Sequence, residues 1–189
     1  MTIRRDIALG LAALLLLPLL LHAQVNVLTN RYDAARTGAT LAETTLTTAN
    51  VNATNFGKLY SYPVDGGVYA QPLYVAGVTV NGARHNVLYV ATMNDTLYAF
   101  DADRSSPAPL WTVAFANPPS STPVPIVDII GVNDRNIVGN VGIQSTPVID
   151  LTTNTLYLVA RTKESGAYVQ RLHAIDITNG RPRARRPAR

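Results

Sequence analysis

The sequence predicts an all-β chain: a partial β-propeller of about two four-stranded antiparallel blades, placed behind a cleavable signal peptide. Three observations carry this reading. Four short apolar runs between residues 71 and 115 are separated by turn residues. A second set of matching runs follows after residue 141. A short strand ending in Ala-x-Asp closes the third run of each set, as Ala99-Phe100-Asp101 and then as Ala174-Ile175-Asp176.

Taken in order, residues 1–23 read as an export signal. Arg4 and Arg5 form a positive start, residues 7–21 an apolar run, and Leu21-His22-Ala23 a small-residue cleavage site. The run holds 15 residues and Pro18, against the roughly 20 that a membrane span needs. Ordinary secretion fits better than the twin-arginine route, because Asp6 follows the arginines and the run is rich in leucine. The expected location is secreted or periplasmic, with no membrane span after cleavage. With no cysteine in the chain, the exported product is held by packing alone.

Residues 24–68 form an N-terminal extension and a first strand. Thr and Asn crowd residues 44–55 and compete for backbone hydrogen bonds, which disfavours a helix. Residues 58–64 (KLYSYPV) read as a strand ended by Pro63 and the Asp65-Gly66-Gly67 turn. Residues 69–116 form the first blade. Its strands are residues 71–80, 86–92, 96–100 and 110–115, with turns at Asn81-Gly82 and Met93-Asn94-Asp95. The two middle strands are nearly continuous apolar runs, as expected of a sheet covered on both faces.

Residues 117–141 are a loop insertion whose Pro and Ser content argues for a surface excursion, not a helix. Residues 142–180 form a second, incomplete blade. Ser145-Thr146-Pro147-Val148 matches Ala70-Gln71-Pro72-Leu73, Thr155-Leu156-Tyr157 matches Val87-Leu88-Tyr89, and Leu172-His173-Ala174 matches Leu97-Tyr98-Ala99. The outer matches are offset by 75 residues and the middle one by 68, so the strands are kept while the loops exchange length. After Asn179-Gly180 a fourth strand is due. Residues 181–189 (RPRARRPAR) stand there instead and read as a disordered tail, foreign to the fold and consistent with a truncated or frameshifted coding sequence.

That tail also explains the charge. The chain carries 16 Lys and Arg against 12 Asp and Glu and has a pI near 9.6. Two of the basic residues lie in the signal and five in the tail, leaving residues 24–180 at a net −2. A nucleic-acid partner is therefore not expected.

The stretch NRYDAARTGATLAETTLTTANVNATNFGKLYSYPVDGGVYAQPLYV, residues 95–111 (DTLYAFDADRSSPAPLW) and GIQSTPVID resemble secreted bacterial proteins with pyrroloquinoline-quinone-type propeller repeats, of the quinoprotein-dehydrogenase-like superfamily. The resemblance spans residues 26–180. It implies that Trp111 docks one blade against the next; read from the residues themselves, Asp101 and Asp176 close turns and Pro72 and Pro147 start strands. Ser105-Ser106 replaces the family's Thr-Gly, and the second copy lacks the tryptophan. Propellers close with about 4–8 blades, so the chain resembles an N-terminal fragment.

No residue of this sequence matches a catalytic or quinone-binding motif. No cofactor is expected for this chain; pyrroloquinoline quinone and Ca²⁺ are implied only if a full-length parent is an enzyme. Asp101, Asp103 and Asp176 could offer oxygens to Ca²⁺, but turn formation through the backbone is the plainer role. Asp128 and Asp134 lie in the insertion as solvated carboxylates. His85 and His173 lack a second His at ligand spacing, so no metal site is expected. Ser145-Thr146 lacks a nucleophile elbow. Tyr60, Tyr62, Tyr69, Tyr74, Tyr89, Tyr98, Tyr157 and Tyr168 read as packing residues that could also serve a carbohydrate surface.

The expected function is a noncatalytic exported scaffold, with a protein or polysaccharide partner and self-association through open sheet edges. The alternatives are the N-terminal part of a quinone-dependent dehydrogenase and an extracellular glycan-binding module.

Overall fold

Asn81 and Gly82 both adopt positive φ, +50° and +81°, the backbone of a type I′ hairpin. That turn joins β1 (Leu73–Val80) to β2 (Ala83–Ala91). The computed structural model describes residues 25–41, 43–104, 106–131 and 136–183. The expected signal peptide, Ser105, Asp134 and tail residues 184–189 lie outside them. β3 (Thr96–Asp101) and β4 (Trp111–Ala114) complete a four-stranded antiparallel meander in the order β1-β2-β3-β4. The four strands expected over residues 71–115 are all present.

Residues 58–64 are not a strand. They lie across the first sheet as a cover, held by side chains and not by a ladder. The Tyr62 ring stacks on Phe100 with centroids 4.8 Å apart, and its hydroxyl donates to the carbonyls of Asp101 and Arg104, both at 2.8 Å. Asp65 then accepts from the hydroxyls of Thr92 at 2.7 Å and Thr96 at 2.5 Å. An alternating apolar run makes a strand only where a sheet edge receives it. Here the tyrosines anchor it flat against a sheet face.

The second sheet has five strands, where an incomplete blade of three matched runs was expected. Residues 117–141 supply the surplus: β5 (Thr122–Pro125), the single-turn α1 (Val127–Ile130) and β6 (Asn140–Val141). The expectation of a bare surface loop without helix is therefore corrected. β5 makes only two residue pairs with β8 and two with β6, few enough that Pro123 and Pro125 are tolerated. β7 (Val148–Asp150), β8 (Thr155–Glu164) and β9 (Ala167–Asp176) follow. β8 is central: it pairs with β7 at its start, with β5 at its end, and with β9 over its whole length. Ser165 and Gly166, at φ +47° and +87°, form the β8–β9 hairpin.

The tail is corrected too. Residues 181–183 run beside β9: Asp176 N–H donates to the Arg181 carbonyl at 2.8 Å, and Arg183 N–H to the Ala174 carbonyl at 2.7 Å. Pro182 bridges Ile175 without needing an N–H, and Arg183 Nη2 meets Asp176 Oδ2 at 2.8 Å.

One core joins the two sheets. Leu73, Val75, Val87, Tyr89, Leu97 and Ala99 of the first belong to the same buried cluster as Ile149, Leu156, Leu158, Ala160 and Ile175 of the second. The segments that lead into β1 and β7 meet directly, since Gln71 N–H donates to Thr146 Oγ1 at 3.0 Å. Among the described residues no helix is long and apolar enough to cross a membrane.

Candidate functional site

The Ala-x-Asp aspartates act on their own backbone. Asp101 Oδ1 accepts from Asp103 N–H at 3.0 Å and Asp176 Oδ1 from Thr178 N–H at 2.9 Å. Each is the i to i+2 bond of an Asx-turn, and Asp150 makes a third with Thr152 N–H at 2.9 Å. Asp101 also meets His85 Nδ1 at 2.7 Å and Arg104 Nε at 3.2 Å. Burial raises its pKa, but the bonds from His85 and Asp103, with the Arg104 charge, hold it below the usual carboxylate range. Asp103 is exposed and accepts from Asn86 Nδ2 at 2.7 Å. Among the described residues no group of three or more His, Asp or Glu side chains comes together.

Trp111 works at the junction between the sheets. Its indole N–H donates to the Ile177 carbonyl at 3.2 Å, and Tyr89 OH donates to the same oxygen at 3.0 Å. Ile177 and Gly180 belong to the turn after β9. A Cβ on Gly180 would stand 2.8 Å from the Trp111 ring, and Gly180 has φ +73°; only glycine combines that backbone with that approach. Pro147 is buried before β7, whereas Pro72 is exposed before β1. His173 lies against the Phe115 ring at 4.5 Å, and burial together with the Arg171 charge lowers its pKa.

Asp95, read from the sequence as part of a turn, is a second junction. It is fully buried at φ +61°. Its Oδ1 accepts from Arg161 N–H on β8 at 3.3 Å, while Oδ2 has no hydrogen-bond partner among the described residues. A Cβ on Gly142 would lie 2.6 Å from both Asp95 Oδ1 and the Met93 carbonyl, so the backbone of the second sheet approaches this turn as closely as glycine permits.

Among the described residues the outer face of the second sheet presents exposed apolar side chains. Register places Val148, Tyr157 and Ala174 in one cross-strand row and Val159 with Leu172 in the next. Val148 is 47% exposed, Tyr157 38% and Leu172 72%. In the matching of sequence runs these residues align with Leu73, Tyr89, Ala99, Ala91 and Leu97, all buried between the sheets. Where the first sheet sets Trp111 opposite Ala99, the second sets Arg183 beside Ala174. The remaining tyrosines divide between the two uses considered for them: Tyr60, Tyr62 and Tyr69 bond distant carbonyls, whereas Tyr157 and Tyr168 are exposed on this outer face. Sequence reasoning found the matching runs but missed that those of the second sheet lie open. The signal was the missing tryptophan. Comparisons with protein-family models, curated proteins and solved structures find no match for this chain.

Proposed function

We propose that the chain is an exported, noncatalytic β-propeller repeat protein, or a truncated fragment of one, that acts as an interaction scaffold. Its resemblance to pyrroloquinoline-quinone-type repeats supports the reading, as does the succession of two antiparallel sheets around one core. The observation that carries it is the correspondence of faces. The row Leu73-Tyr89-Ala99 covers the second sheet, and its repeat equivalent Val148-Tyr157-Ala174 is chemically alike yet open. A stack of repeats needs a polar cap at each end to stay soluble. Residues 60–65 cover one end, and the other presents apolar side chains.

The occupant of that face is a second copy of the chain, paired face to face. Open edges add to this, because β4 is the last strand of its sheet and unpaired edges recruit other chains. Sedimentation velocity over a range of concentrations tests the reading. The wild type should self-associate, and a Tyr157→Asp, Leu172→Asp double variant should remain monomeric with an unchanged melting temperature. A wild type that stays monomeric as concentration rises would overturn it.

A further inference from the structure

Along β8 and β9 the outer face changes character after Val159 and Leu172. The next cross-strand rows are Arg161 with Gln170 and Lys163 with Tyr168. Two adjoining clefts open there, of about 330 Å³ and about 480 Å³, and both are walled by Arg161 and Gln170. Gln144 and Ser145 line the first, and Asp128 and Tyr168 the second. Each volume lies in the range of about 300–1,000 Å³ usual for small-molecule sites.

The charges in these clefts do not balance. β8 and β9 carry three cations, Arg161, Lys163 and Arg171. Lys163 pairs with Asp128 at 2.7 Å, and Arg171 pairs with Glu164. The Asp128 carboxyl is held below its usual range first by the Lys163 bond and further by the Tyr168 hydroxyl, so it is already committed. Arg161 has no carboxylate partner among the described residues. In the amide orientation that satisfies both groups, the Gln170 oxygen accepts from Arg161 Nε at 2.9 Å and from Nη2. That bond fixes the guanidinium and leaves Nη1, the second Nη2–H and the Gln170 amide nitrogen as donors.

A fixed guanidinium with spare parallel donors suits a carboxylate. Around it stand groups that suit hydroxyls, Gln144 and Ser145, and the ring of Tyr168, which is 55% exposed. Aromatic rings with a polar tip favour ligands that are apolar on one face and wet at the rim. Two clefts sharing one wall accommodate consecutive units of an oligomer. We infer that this donor-rich double cleft binds an acidic saccharide, with Arg161 on a uronate carboxylate and Tyr168 against an adjacent ring. This site borders the apolar rows proposed for self-association, since Val159 lines the first cleft, but it stands without that proposal.

Isothermal titration calorimetry of the intact chain with trigalacturonic acid tests this. The expected result is saturable binding that weakens with salt and falls at least tenfold with the methyl-esterified trisaccharide. Arg161→Gln should abolish the preference for the acid over the ester, and Tyr168→Ala should weaken both ligands alike, each with unchanged melting temperature. Absence of binding, equal binding of acid and ester, or an Arg161→Gln variant that binds like wild type would overturn the proposal. So would acetate binding as tightly as the trisaccharide, which would make the cleft a simple carboxylate site.

Discussion

Burial pushes the Asp95 carboxyl up to about 7; the Arg161 N–H only partly offsets this, and the Asp65 charge adds to it. In the unfolded chain the same group titrates near about 3.9. The folded state therefore holds the proton more tightly, and the stabilisation is fully present below about pH 4 and lost as pH rises through about 7. An effect on the order of 2–4 kcal/mol is expected across that interval. His173 acts in the opposite sense, since its lowered pKa makes the fold less stable as pH falls through 6.5. Comparing melting temperatures of wild type and Asp95→Asn from pH 4 to 8 separates the two. Asparagine tolerates the left-handed backbone, so the variant should gain on wild type steadily as pH rises, and parallel profiles would show that Asp95 is not titrating in its buried site. At the other junction Trp111→Ala should cost about 2–3 kcal/mol, below the roughly 3–5 of a fully buried aromatic because the residue is only half-buried. Gly180→Ala should cost about 2 kcal/mol, from strain at φ +73° and contact with the indole. Urea denaturation measures both, and a neutral Gly180→Ala would mean that the turn moves freely away from Trp111.

At the scale of elements, the strands most legible in the sequence are those whose two ends are both marked chemically. β1 and β2 announce themselves through Asn81-Gly82, and β3 through the turn at Asp95 and the Asp101 closure. β8 and β9 run further than their apolar runs do, to Glu164 and back from Ala167. Their outer halves carry Arg161, Lys163, Tyr168 and Gln170 on a solvent face, and polar side chains there carry little hydrophobic signal. The Ser165-Gly166 dipeptide was the available mark. β5 and β6 were hidden by prolines and by their shortness, while residues 58–64 looked like a strand because alternation reports one-sided burial and not pairing. Of the candidate site, the turn role of Asp101 and Asp176 was readable from their place after each short strand. The burial of Asp95 was not, because it depends on Gly142 and Arg161, far away in sequence. The cover over the first sheet gives a prediction of its own. Asp65 satisfies the hydroxyls of two buried threonines, Thr92 and Thr96, and removing it leaves both donors unpaired. Asp65→Ala should cost about 2 kcal/mol and open residues 58–64 to limited proteolysis before the strands are cut. Simultaneous cleavage of cover and strands would show that the cover is no separate unit.

The molecule as a whole behaves as one packing unit because its largest cluster does not respect the boundary between its sheets. Leu156 and Ile175 from the second sheet pack in the same buried cluster as Leu73, Tyr89 and Leu97 from the first. Trp111 and Tyr89 both bond the Ile177 carbonyl across the gap, and Asp95 bonds Arg161 N–H at the opposite rim. Neither sheet could keep its inner face dry alone, since separation would expose every one of those side chains at about 25 cal/mol per Å². Unfolding should therefore be cooperative across the pair of sheets. Leu156→Ala tests this, with an expected cost of about 2–5 kcal/mol for a fully buried leucine. Native-state hydrogen exchange should show protection falling by the same free energy in β2 and β3 as in β8 and β9, although the substitution lies in β8. Loss confined to β7, β8 and β9 would mean that the sheets open independently. The fold would then be two units leaning on each other, each with its own stability.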